Sequence, residues 1–105
     1  MTDVVITLID EVYTKDENGI SQKTELSTAV FARKRSVSRS EFFDGGRNGL
    51  NPEFEFDVFA GDYDGQRVIE YDGKRYGVYR TYAPDGSDYI ELYAERKGGT
   101  NASGN

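Results

Sequence analysis

Short segments in which apolar and polar residues alternate recur along the chain, and this recurrence most constrains the fold. In the clearest case, Phe54, Phe56 and Val58 are separated by single carboxylates, which is the period-two pattern of a β-strand. Turn sequences that suit positive φ, such as Asn18-Gly19 and Asp72-Gly73, separate these segments. The pattern predicts antiparallel hairpins rather than helices.

Six strands follow from this pattern, over residues 4–13, 22–36, 54–59, 68–71, 75–82 and 89–95. Strands of this length joined by short turns are typical of a small antiparallel β-barrel or sandwich. We therefore predict an all-β fold of one domain, residues 1–97, with a long loop that carries a short helix between strands 2 and 3. Residues 98–105 have almost no apolar content and are expected to form a flexible tail.

The composition narrows the chemistry. The 105 residues include no Cys and no His, which removes disulfides, thiolate metal sites and the commonest general base. No catalytic residue, metal or cofactor is predicted. The net charge of −6 counts against a general nucleic-acid binder but not against a protein that DNA slides past. No signal peptide or long apolar stretch is visible, so a soluble, unexported protein is expected.

Two carboxylate pairs are candidate sites of acid–base chemistry. Glu53 and Glu55, and also Asp62 and Asp64, lie two residues apart. Residues two apart on a strand share a face, and such pairs most often keep that face solvated. The second pair has a faint likeness to a calcium loop, yet the remaining ligands of that loop are missing.

The segment SEFFDGGRNGLNPEF, residues 40–54, contains two adjacent aromatic residues beside three glycines. Ser38 and Glu41 have the spacing of a capping box, which predicts a helix of one or two turns over residues 39–44. Two interpretations stay open. The segment is either an ordinary connection with both phenylalanines buried, or an exposed element that contacts a partner.

Two further groups of side chains allow a binding role. Tyr71, Tyr76, Tyr79, Tyr82, Tyr89 and Tyr93 could stack on nucleotide bases, although the many acidic neighbours favour packing of the rings across strands. A basic cluster consists of Arg33, Lys34, Arg35 and Arg39. This cluster could contact phosphate, or the acidic half of another copy of the chain.

Three stretches, VSRSEFFDGGRNGLNPEFEF, IEYDGKRYGVYRTY and IELYAERKGG, resemble in order and spacing the head-closure proteins of long-tailed bacteriophages, also called head-tail joining, stopper or head-tail adaptor proteins. The resemblance implies a virion protein of the head–tail interface that is made in the host cytoplasm. It implies a β-barrel that forms a six-fold or twelve-fold ring below the portal and its adaptor and above the tail-terminator protein. Packaged double-stranded DNA would pass through this ring, and no membrane would be involved.

The resemblance also assigns roles to residues. The loop between strands 2 and 3 would close the DNA channel, with Phe42 or Phe43 as its anchor and residues 44–49 as its tip. The gating residues would be Glu41, Phe42, Phe43, Asp44, Gly45, Gly46, Arg47, Asn48, Gly49 and Leu50. The basic cluster would make intersubunit or adaptor contacts.

Other functions stay open at this point. Within the virion, the chain could be a tail-terminator or adaptor protein. From a different class, it could be a single-stranded nucleic-acid-binding barrel, or a barrel module with an unrelated partner.

Overall fold

The computed structural model describes residues 1–37 and 52–97. The predicted helix over residues 39–44, the loop residues 41–50, Arg39 and the predicted tail 98–105 lie outside the described residues.

The described residues form six β-strands and one short 3₁₀ helix, which confirms the predicted number of strands and the all-β class. The strands are β1 (Thr2–Lys15), β2 (Ser21–Ser36), β3 (Pro52–Phe59), β4 (Val68–Tyr71), β5 (Lys74–Tyr82) and β6 (Tyr89–Arg96), with the 3₁₀ helix at Ala60–Asp62 after β3. β1 is longer than predicted because its pairing with β2 continues to Lys15 opposite Ser21.

The six strands close into an antiparallel barrel in the order β1-β2-β3-β6-β5-β4. Closure is made by β1 and β4, where Thr7 lies opposite Glu70 and Ile9 lies opposite Val68. The sequence left open a barrel or a sandwich, and the structure is a barrel. Closure leaves no long unpaired strand edge around the barrel itself.

Apolar side chains from alternate strand positions fill the barrel. The buried core cluster consists of Ile6, Leu8, Val30, Ala32, Phe56, Val58, Ile69, Tyr76, Leu92 and Ala94. Its largest members, Phe56 and Tyr76, are 0% and 2% exposed, and their ring centroids lie 6.2 Å apart. Aromatic rings therefore occupy much of the interior, as the composition indicates.

The two ends of the barrel differ in the connections between strands that lie there. At one end, which we call the loop end, β2 finishes at Ser36 and β3 starts at Pro52. The turn between β4 and β5 lies at this end too, with φ of 54° at Asp72 and 75° at Gly73. These positive values fit the two-residue hairpin predicted from Asp-Gly.

The hairpin of β1 and β2 extends beyond the barrel at the opposite end. Residues 10–26, which we call the arm, pair from Asp10 opposite Leu26 to Lys15 opposite Ser21. Its turn is held by the Asp16 side chain, whose Oδ1 accepts the backbone N–H of Asn18 and Ile20, both at 2.9 Å. The turn predicted here is confirmed, with positive φ at Gly19 (78°) but not at Asn18.

Candidate functional site

The basic residues at the end of β2 are divided between two faces of the strand. Arg33 and Arg35 point outward from the barrel, whereas Lys34 lies among aromatic rings at the loop end. The division follows from the alternation of side chains along a strand. Of the cluster members that the structure describes, Arg33 and Arg35 thus lie on the outer wall and Lys34 does not.

Lys34 is held by the aromatic residues of the loop end. Its Nζ donates a hydrogen bond to the hydroxyl of Tyr71 at 3.1 Å. The same atom lies 4.8 Å from the centroid of Phe54 and 4.9 Å from that of Tyr71. Cation–π attraction of this kind stabilises a charge where water is partly excluded. Lys34 therefore closes the end of the aromatic core.

Arg35 makes an ion pair across β2 and β3. Its Nε donates to Oε1 of Glu55 at 2.7 Å, and Glu55 is only 4% exposed. The sequence prediction that Glu53 and Glu55 form a solvated pair is wrong for Glu55. The reason is that β3 is covered on both faces, by the core inside and by neighbouring outward side chains of β2 and β6.

Glu55 belongs to a group of three carboxylates on the outer wall, with Asp57 of β3 and Glu91 of β6. We call this group the carboxylate cluster. Asp57 lies directly opposite Glu91 in the strand pairing, and one oxygen from each residue lies within 4.8 Å of the other two. No sequence pattern groups Glu91 with the other two carboxylates, because β3 and β6 are far apart in the chain.

The surroundings of Asp57 in the carboxylate cluster change its pKa. Burial raises the pKa of Asp57 to about 7, with further contributions from a hydrogen bond to Glu55 and from the charges of Glu55 and Glu91, while Arg33 acts in the opposite direction. Two carboxylates held close together cannot both ionise without cost. Asp57 therefore carries a proton for part of the time at neutral pH.

Glu91 has its own hydrogen-bond donor. The hydroxyl of Tyr93 donates to Oε1 of Glu91 at 2.6 Å. Burial, followed by this hydrogen bond, raises the pKa of Tyr93 above its usual range. The guanidinium of Arg80 lies 4.4 Å from the centre of the Tyr93 ring. Tyr93 is thus fixed in place and stays a proton donor.

The sequence contains a signal for two members of the cluster, Glu55 and Asp57. Arg33 and Arg35 are two residues apart on β2, and Glu55 and Asp57 are two apart on β3. These residues face each other in register, Arg33 opposite Asp57 and Arg35 opposite Glu55. Two matched opposite charges at equal spacing indicate cross-strand pairing.

Several of the tyrosines pack against other rings, either across neighbouring strands, as predicted, or through the barrel interior. Tyr76 is buried, and Tyr71 packs edge-on against Phe54 and Phe56, with centroids 5.9 and 5.6 Å away. Tyr79 lies beside Tyr93 at 6.4 Å. Tyr82 and Tyr89 are exposed.

An apolar patch lies on the outer wall near the carboxylate cluster. Phe31 is 81% exposed, and its strand partner Val5 is also exposed. Phe31, Arg33, Asp57 and Tyr89 line one surface groove. Exposed apolar side chains grouped in this way mark a surface suited to contact with another protein. We call Val5, Phe31 and Tyr89 the wall patch.

The predicted channel-closing residues 41–50 and Arg39 lie outside the described residues, but the strands that carry the connection are described. The backbone N–H of Val37 donates to the carbonyl of Glu53 at 3.0 Å, so β2 and β3 stay paired up to the base of the connection. Residues 38–51 therefore join two adjacent strands at the loop end.

Comparisons with known proteins do not assign a family. No protein-family model matches the chain, and no curated protein matches it. Within residues 1–37 and 52–97, no helix is long and apolar enough to cross a membrane.

Proposed function

We propose that the chain is a structural subunit of the head–tail interface of a long-tailed phage. Copies of the chain would form a ring below the portal and its adaptor, close the DNA channel and provide the docking surface for the tail. The role is structural, without catalysis.

One observation carries this proposal. The longest connection of a closed six-strand barrel, residues 38–51, joins β2 to β3 at one end of the barrel. This connection contains the phenylalanine pair and glycines of the first stretch that resembles head-closure proteins. A barrel whose longest connection starts and ends at one end of the barrel is suited to a ring in which every copy directs that end toward a common axis.

The wall patch supports the assembly part of the proposal. Phe31 is almost fully exposed in a single copy, and contact with a neighbouring subunit would remove its ring from water. Arg33 lies beside this patch, with its guanidinium 5.0 Å from the Tyr89 ring. A neighbouring copy with net negative charge would find both an apolar and a basic group there.

Binding of single-stranded nucleic acid has less support. Base stacking needs exposed rings beside a basic groove. Tyr76 is buried, and the Tyr71 ring is packed between Phe54 and Phe56. Of the tyrosines considered for stacking, Tyr82 and Tyr89 are exposed, and the net charge of −6 opposes a polyanion.

Electron microscopy of tailless heads mixed with the full chain tests the proposal. One variant has residues 41–50 replaced by a glycine-serine linker of equal length. A matched control has the same kind of linker in place of residues 83–88, the turn between β5 and β6 at the opposite end. We expect the intact chain and the control to add a ring below the portal and retain DNA.

The loop variant is expected to add the ring but to release DNA. Failure of the intact chain to bind heads would overturn the proposal. Binding to isolated tails in place of heads would indicate the tail-terminator role. Binding to single-stranded oligonucleotides that weakens steeply with salt would indicate the nucleic-acid role.

A further inference from the structure

We propose that the carboxylate cluster, Glu55, Asp57 and Glu91, binds one hard divalent cation, with Ca²⁺ as the ion it fits best. The inference does not depend on the phage role. It also goes against the expectation, drawn from the sequence, that the chain has no metal site.

One carboxylate oxygen of the cluster has no hydrogen-bond donor. Oδ1 of Asp57 is buried and receives no hydrogen bond, and the residue is 9% exposed. Among the buried side-chain atoms of residues 1–37 and 52–97, it alone is in this situation. A buried polar atom without a partner is costly, and native structures usually satisfy it with water, an ion or a proton. A cation bound between the carboxylates would supply the missing partner.

The other two carboxylates, Glu55 and Glu91, are each held by a hydrogen bond to one oxygen. Glu55 uses Oε1 to accept from Arg35 at 2.7 Å, and Glu91 uses Oε1 to accept from Tyr93 at 2.6 Å. Each bond fixes the orientation of its carboxylate, as the hydrogen bonds around metal ligands commonly do.

The geometry agrees with a cation of the size of calcium. Ca²⁺ binds oxygen at about 2.3–2.6 Å and accepts irregular arrangements of ligands, whereas Mg²⁺ demands near-ideal octahedral geometry. The three carboxylate oxygens lie within 4.8 Å of one another. An all-oxygen set also favours hard ions over zinc or copper.

The surrounding cations set a limit on affinity. Arg35 pairs with Glu55, Arg33 lies near Asp57, and Arg80 stacks on Tyr93. Three carboxylates beside these guanidinium groups leave little excess negative charge. We therefore expect a Kd of about 10⁻⁴–10⁻³ M, the range of weaker calcium sites. Asp57 lines the surface groove described above, which gives the ion a route from solvent.

The test uses the full chain, freed of metal with EDTA and titrated with Ca²⁺ alone by calorimetry and by amide NMR shifts. Mn²⁺ is then added in trace amounts to locate the site by paramagnetic broadening. Three variants are compared with the parent chain. D57N and E91Q keep the shape of the ligands, and D62N removes an exposed carboxylate outside the cluster.

We expect saturable binding, with shifts and broadening centred on β3 and β6 near residues 55, 57 and 91. D57N and E91Q should each weaken binding by at least about tenfold, and D62N should bind as the parent does. NMR spectra of the variants confirm that each is folded, so loss of binding is not loss of structure.

Three outcomes would overturn the proposal. The first is the absence of a saturable signal up to about 10 mM Ca²⁺, which would mean that Asp57 and Glu55 share only a proton. The second is unchanged affinity in D57N. The third is an equal loss in D62N, which would show diffuse binding to an acidic surface.

Discussion

Arg35 and Glu55 face each other across β2 and β3 with 2.7 Å between Nε and Oε1, and the carboxylate is almost fully buried. Arg35 itself is partly exposed, so the pair lies at the boundary between wall and solvent. An ion pair with one buried partner is asymmetric, because removing the exposed partner leaves the buried charge without compensation.

Replacing Arg35 should therefore destabilise the fold. We expect Arg35→Ala to lower the free energy of unfolding by about 1–3 kcal/mol, the cost of a buried charged group that loses its hydrogen bond. Urea denaturation measures this change. In the double variant with Glu55→Gln, much of the loss should be recovered. Equal loss in the single and double variants would show that the charge left on Glu55 is not the cause of the loss.

The fold should become less stable as pH rises from about 4 to about 7 because of Asp57. The pKa of Asp57 is raised from its ordinary value near 4 to about 7 in the folded chain, so between these values the folded state binds more protons than the unfolded state. Stability from this group is fully present below about pH 4, decreases as the pH rises, and is lost above about pH 7.

Asp57→Asn checks this expectation in metal-free buffer. Above about pH 7 the variant should be more stable than the parent by at least about 1 kcal/mol, because one pKa unit corresponds to roughly 1.4 kcal/mol. The difference should shrink toward pH 4. A difference between variant and parent that does not change with pH would contradict a raised pKa for Asp57.

Two phenylalanines provide a matched test of burial. Phe56 is fully buried in the core, and Phe31 is 81% exposed on the wall patch. Phe56→Ala should cost about 3–5 kcal/mol, whereas Phe31→Ala should change stability by no more than about 0.5 kcal/mol. Thermal unfolding of the two variants side by side measures both.

Phe31→Ala also tests the role of the wall patch in assembly. Because the fold is expected to stay intact, reduced ring formation on tailless heads would come from the lost contact. A control with Tyr13→Ala, an exposed ring on the arm, should assemble normally. Normal assembly of the Phe31 variant would exclude the wall patch as an intersubunit contact.

The arm is tied to the barrel by Arg75, whose Nη1 and Nη2 donate to the two carboxylate oxygens of Glu25 at 2.9 and 3.2 Å. Both side chains are well solvated, so Arg75→Ala should leave global stability almost unchanged. Amide hydrogen exchange should nevertheless become faster in residues 10–26. An unchanged exchange pattern would mean that strand pairing alone holds the arm.

Sequence patterns predict hairpin turns well, but they predict poorly which distant strands pair. The hairpin turns at Asn18-Gly19 and Asp72-Gly73 depend on backbone preferences of those residues. The structure has positive φ at Asp72, Gly73 and Gly19, and the Asp16 side chain supports the first turn. The pairing of β3 with β6 and the closure of β1 on β4 depend on contacts between distant parts of the chain, which no short pattern encodes.

The burial of Glu55 and Asp57 was missed for the same reason. Alternation correctly predicts that both side chains point away from Phe56, but it does not show that Arg35 and Glu91 cover that outer face. Lys34 could have been placed correctly, since it has the same parity along β2 as the buried Val30 and Ala32. The loop residues 41–50 stay a prediction.

The topology also determines the order in which the barrel can fold. β1 cannot pair with β4, where Thr7 lies opposite Glu70, until β4 has been synthesised. In the same way, β3 cannot pair with β6, where Phe54 lies opposite Ala94, until β6 has been synthesised. The β1–β2 hairpin, in contrast, needs only its own turn. During synthesis the hairpin can form early, but the barrel stays open until β6 has left the ribosome. Pairings between strands this distant in sequence slow folding. The edges of β1 and β3 that pair with β4 and β6 therefore stay unpaired longer than the edges joined in the β1–β2 hairpin.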